Sequence, residues 1–100
     1  MLPYLSITPS GELEYRSDYG ITHAIPLSDI HKINKESGVG GYEHALFVYF
    51  ARGRPGQDRI IKIKTSYFDR SQLIALIGEL RQRVPTIHLN DELKAYLDPQ

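Results

Sequence analysis

Between Arg52 and Lys64 the chain gathers five cations, Arg52, Arg54, Arg59, Lys62 and Lys64, against the single carboxylate of Asp58. A cluster of that kind can grip a phosphate group, an acidic protein or an anionic lipid surface. Its ordinary alternative is a solvated strand face whose lysines guard an edge against aggregation. Residues 1–19 hold Glu12, Glu14 and Asp18 against Arg16, so the overall balance of 12 basic and 12 acidic side chains conceals a dipole. That balance weighs against bulk attraction to nucleic acid and leaves room for a local anionic contact.

The other reactive residue types point to less. His23, His31, His44 and His88 lack the close spacing of a zinc motif, and the chain has no cysteine to support them. His23 falls on the apolar face of its strand and is expected as a hydrogen-bonded core histidine. Ser28, Asp29 and His31 are the residue types of a hydrolytic triad. They crowd into one turn, whereas a triad converges from separate elements beside an oxyanion hole, so turn formation is the better reading. Gly38-Val39-Gly40-Gly41 lacks the Lys-Ser/Thr of a phosphate loop and reads as part of a mobile connection from Lys35 to His44. Of seven tyrosines, Tyr42 and Tyr96 stand in loop and tail, where a large amphipathic ring suits a contact. No catalytic set, metal site or cofactor is expected.

These side chains need a scaffold. Tyr4 to Thr8 and Glu12 to Arg16 alternate in period two, with Leu13 and Tyr15 facing one way and Glu12, Glu14 and Arg16 the other. Thr8-Pro9-Ser10-Gly11 between them is a type I turn sequence, which makes the first hairpin. Ser17-Asp18-Tyr19-Gly20 forms the next turn, and Ile21 to Ile25 the third strand. The apolar phase slips from Ile21 and Ile25 to Ile30 and Ile33, which calls for a bulge or corner near Pro26. Ile30 to Asn34 resumes as a strand. Leu46 to Phe50 reads as a strand buried on both faces, and Arg59 to Thr65 sets Ile61 and Ile63 against Lys62 and Lys64.

The period then changes. Leu73, Leu76, Ile77, Leu80 and Val84 recur at steps of three and four, predicting an amphipathic helix over 69–84. Asp69 and Gln72 have the spacing of a capping box, and Pro85 ends the helix. Residues 85–100 read as a tail that docks on the domain, with an extended piece at Ile87 and Leu89 and a short helix capped by Asn90.

The order of elements, together with Gly11-Glu12-Leu13-Glu14-Tyr15-Arg16, Ile25-Pro26-Leu27-Ser28-Asp29-Ile30 and the helix following Tyr67-Phe68, resembles the bacterial pleckstrin-homology-like family over roughly residues 4–84. The resemblance implies an interaction module for proteins, its own copies or anionic groups. The family's lipid site lies in the first hairpin loop. Here that loop is Pro9-Ser10-Gly11, without lysine or arginine, and the lipid-binding residues are not carried over.

The expectation is therefore a mainly β (α+β) domain over 1–84, with about six short antiparallel strands in a bent sheet or partly open barrel closed by one helix. Residues 85–100 form its tail. The expected role is a non-enzymatic binding or assembly module engaging a protein partner or a second copy. The alternatives are attachment to an anionic lipid or phosphate-bearing surface through hairpin 52–64, and a small ligand in the sheet cleft. Met1-Leu2-Pro3-Tyr4 shows no secretory pattern, and no apolar run nears the roughly 18–20 residues that span a bilayer. A cytoplasmic protein, at most at the inner membrane surface, is expected.

Overall fold

Two glycines close the first two hairpins. The computed structural model describes residues 3–17, 19–37, 44–51 and 58–98. In it β1 (Tyr4–Ile7), β2 (Glu12–Arg16) and β3 (Thr22–Pro26) form a three-stranded antiparallel sheet in chain order. The amide of Gly11 donates to Thr8 O at 3.0 Å and that of Gly20 to Ser17 O at 3.0 Å. Both glycines have φ +85, the left-handed geometry that ends a three-residue hairpin loop. Thr8 Oγ1 accepts from the Glu12 amide at 3.1 Å and fixes the start of β2. A Cβ at Gly11 meets nothing within 4 Å, so Gly11→Ala carries only the backbone penalty. Urea unfolding of that variant should show a loss of about 1–2 kcal/mol.

After Pro26 a single 3-10 turn, Leu27–Asp29, leads into β4 (Ile30–Ser37). The corner expected near Pro26 is this turn, while the bulge lies further on. Register in the pair with β5 (His44–Ala51) shifts between Ile30 and Lys32, leaving His31 as the extra residue. That insertion lets Ile30 and Ile33, three apart, both point into the core. β4 and β5 also reach further into the Lys35–His44 connection than the sequence indicates, and the intervening 38–43 lie outside the described residues.

β5 pairs with β6 (Asp58–Lys64), and β7 (His88–Leu89) adds in parallel to β4, so the second sheet runs β6-β5-β4-β7. The described residues thus hold seven strands in two sheets, and they do not close into a barrel. The count of six strands is corrected by β7, and the all-antiparallel expectation by its parallel pairing. The extended piece expected at Ile87 and Leu89 is where β7 forms, but two residues are too few to show that it pairs, or with which strand.

Leu46, Val48 and Phe50 of β5 face the core, together with Ile61 and Ile63 of β6. Phe47 and Tyr49 on the opposite face are only half-buried. β5 is therefore not buried on both faces. Lys32 Nζ lies 4.2 Å from the centre of the Tyr49 ring, so a cation and its aliphatic stem cover part of what an apolar layer would otherwise cover.

The helical period produces α1 (Arg70–Arg83), which buries Leu73, Ile77 and Leu80. Asp69 holds the N-cap position, but its carboxylate makes no capping bond, so the expected capping box does not form. Its carbonyl instead takes the first helical bond, from the Leu73 amide at 3.1 Å. Ile87, Leu89 and Leu93 belong to the same apolar cluster as residues of both sheets and α1. Leu93 lies on α2 (Asp91–Leu97), whose N-cap Asn90 accepts from the Leu93 amide at 3.0 Å.

Candidate functional site

β6 ends the second sheet and carries three of the five cations singled out above. Strand alternation separates them: Lys62 and Lys64 point to the outer face with Ile60, while Arg59 shares the parity of buried Ile61 and Ile63. Arg52 and Arg54 lie outside the described residues, as does Tyr42. Among the described residues, the three cations of β6 thus do not share one face. Lys64 Nζ stands 5.9 Å from the Tyr67 ring centre. At the start of the strand Asp58 Oδ1 meets His31 Nε2 at 3.0 Å, which places a carboxylate near Arg59 rather than leaving a purely basic end.

Beside β6 lies an open cleft of about 330 Å³, lined by Tyr15, Ser17, Tyr19, Ile21 and His23 on one side and Ile60, Ile61, Lys62 and Lys64 on the other. Tyr15 and His23 are cross-strand partners in β2 and β3, and their rings stack at 6.4 Å with an interplanar angle of 11°. His23 is exposed and not a core residue, correcting the sequence reading. β3 is an outer strand of its sheet, so its apolar side is not everywhere an interior side even where its neighbour Tyr15 is buried.

Apolar exposure concentrates at this cleft. Among the described residues the exposed large hydrophobics are Tyr19 at 84%, Ile21 at 58%, Ile60 at 54% and Tyr67 at 42%, and the first three line it. Isolated exposed apolar residues are ordinary, whereas a convergent group marks a contact surface. None of the described lining residues is Asp or Glu, and two are lysines. Ser17 Oγ accepts from the Ile21 amide at 3.2 Å, which is a turn-forming role.

No family model, curated protein or solved structure matches this chain. Among the described residues no three of His, Cys, Asp and Glu come together as a metal-holding group, and no helix is long and apolar enough to cross a membrane. Ser28 is exposed in the 3-10 turn, while His31 pairs with Asp58 of β6.

Tyr96 is engaged within the chain. Its ring centre lies 5.2 Å from Lys35 Nζ and 5.1 Å from Arg70 Cζ, and Arg70 Nη2 donates to its carbonyl at 2.6 Å. Burial raises the phenol above its ordinary value, an effect partly offset by the Arg70 charge. Lys35 is the one buried charged side chain among the described residues, and its ammonium reaches His44 Nδ1 at 3.3 Å and Glu92 Oε2 at 3.9 Å. This polar group fastens α2 to β4.

The sequence reading missed Tyr19, Ile21 and Ile60 as site residues. A signal for Ile60 was present: the Ile60-Ile61 doublet breaks the alternation of β6 and places an isoleucine on the lysine face. Nothing local marked Tyr19 and Ile21, because their meeting with β6 is a matter of sheet packing.

Proposed function

We propose that the protein is a non-enzymatic binding module with a pleckstrin-homology-like core, and that the cleft beside β6 is its contact surface. One observation carries the reading: Tyr19, Ile21 and Ile60, the three most exposed large apolar side chains among the described residues, line the same cleft as Lys62 and Lys64. An apolar surface rimmed by cations suits a partner that is both apolar and anionic. The succession of antiparallel sheets and then α1 supports the family likeness. The parallel β7 and the second helix lie beyond what that likeness covers.

Two other readings have less support. Attachment to an anionic surface gains from Lys62 and Lys64, but Arg59 follows the opposite face and Asp58 begins the same strand. A small ligand is less suited, because about 330 Å³ is near the lower end of ligand pockets and this cleft is open along its length.

The test is site-specific photo-crosslinking. A benzophenone amino acid replacing Ile60 should give adducts of discrete mass in cells. The same group replacing exposed Gln82 on α1 should give none. Equal patterns from both positions, or no adduct from position 60, would refute the cleft as contact surface. Turnover across a panel of ester, phosphate and glycoside substrates would refute the non-enzymatic part.

A further inference from the structure

We propose that the cleft beside β6 receives a second copy of this chain, head to tail. The Tyr19 ring of one copy enters a recess at Glu12, Pro26 and Asp29 of the next, and Lys64 meets the carboxylates there. The proposal rests on the reading of the cleft as contact surface and names the partner.

The recess lies elsewhere on the same molecule. It measures about 190 Å³ and is lined, among the described residues, by Glu12, Ala24, Ile25, Pro26, Asp29 and Phe50. That is below the roughly 300–1,000 Å³ of ligand pockets, so it suits one inserted side chain better than a whole ligand. Its described lining has two carboxylates and no cation. The cleft is the reverse, with two lysines and no carboxylate. Two apolar members of the recess, Ala24 and Pro26, are exposed. Glu12 Oε1 accepts from Ser10 Oγ at 3.2 Å, and a carboxylate has about four acceptor positions, so further donors fit.

Placement on the first sheet decides how two copies meet. The β2–β3 ladder runs from Glu12 opposite Pro26 to Arg16 opposite Thr22, about 14 Å along the strand. The recess takes Glu12 and Pro26 at one end, while the cleft takes Ser17, Tyr19 and Ile21 beyond the other. Tyr15 and His23, which line the cleft, also have the opposite strand parity to Glu12 and Ala24. The two linings share no residue. A two-fold contact of cleft on cleft would bring the lysines of both copies together. Joining cleft to recess pairs unlike charges instead, and because the two patches differ, copies keep adding in one direction. The chain has a formal net charge of zero, so no general repulsion holds copies apart.

Tyr19 is the anchor. It is the most exposed large apolar side chain among the described residues, at 84%. A tyrosine contributes large apolar area at a contact, and its hydroxyl donates well to a carboxylate.

The test is sedimentation of the purified full chain. Species beyond the dimer should appear as concentration rises from about 10 μM to about 1 mM. Raising sodium chloride from about 0.05 M to about 1 M should weaken the contact at least about fivefold. Tyr19→Ser/Lys64→Gln disables the cleft and Glu12→Gln/Asp29→Asn the recess, and each variant alone should associate at least about tenfold more weakly. Mixed in equal amounts they should form a dimer that grows no further, because each keeps the face that the other has lost. Should a double variant fail to fold, Tyr19→Ser alone should give the same tenfold loss.

A native chain that is monomeric at about 1 mM would overturn the head-to-tail contact. So would an assembly that stops at two copies, indifference to salt, full assembly of Tyr19→Ser, or a mixture no larger than its separate variants. If position 60 still forms discrete crosslinks while the purified chain stays monomeric, the second copy falls and a different protein occupies the cleft. If those crosslinks are absent too, the cleft reading itself is wrong.

Discussion

Replacing Leu93 with alanine should destabilise the protein by roughly 2–5 kcal/mol, the range for truncating a buried leucine in a packed core. Leu93 has 0% exposure and belongs to the cluster that also holds Leu73, Ile77 and Leu89. A domain of this size commonly has only about 5–15 kcal/mol of stability, so one substitution in the last helix should remove a large share of it. Deleting residues 86–100 goes further, removing Ile87, Leu89 and Leu93 together and uncovering the β4 edge that β7 pairs with. The shortened chain should lose its near-ultraviolet circular dichroism and bind a hydrophobic dye. If it unfolds cooperatively within a few degrees of the full chain, the tail is peripheral and this account of the core is wrong.

The second large effect concerns one side chain. Asn90 Oδ1 accepts from the Lys35 amide at 3.0 Å and from the Leu93 amide at 3.0 Å, while its Nδ2 donates to Lys35 O at 2.9 Å. The side-chain amide thus continues the parallel pairing of β7 by one further step and caps α2 at the same time. Asn90→Ala removes all three bonds and should cost about 2–4 kcal/mol in urea unfolding, taking roughly 1 kcal/mol for each. Asn90→Asp keeps an acceptor for both amides but turns a carboxylate toward the Lys35 carbonyl, so its loss should be intermediate. Asn90→Ser can cap the helix yet is too short to span to β4, and it should recover only about 1 kcal/mol of the alanine loss. Equal stability of the alanine and native chains would show that water replaces the clamp without penalty.

Much of the candidate site was half legible. The density of cations from Arg52 to Lys64 and the alternation of Ile61 and Ile63 with Lys62 and Lys64 are plain in the chain, and β6 forms as that alternation requires. What the pattern did not separate was Arg59 from the lysines, because counting charge over a segment ignores the two faces of a strand. Tyr96 looked suited to an outside contact and instead packs between Lys35 and Arg70, since tail residues acquire neighbours only when the tail docks.

Local order was written into the residues. Period two with glycine turns at Gly11 and Gly20 makes the first sheet, and steps of three and four make α1, because side-chain period depends only on backbone geometry within a few residues. Asn90 as the cap of α2 is of the same kind. Packing decided the rest: the parallel joining of β7 to β4, the bond from Lys35 to Asn90 across 55 positions, and the cleft that brings Ile21 beside Ile60. Each of these depends on which surfaces meet once the core collapses, and contacts between distant segments leave no period for one stretch of chain to display.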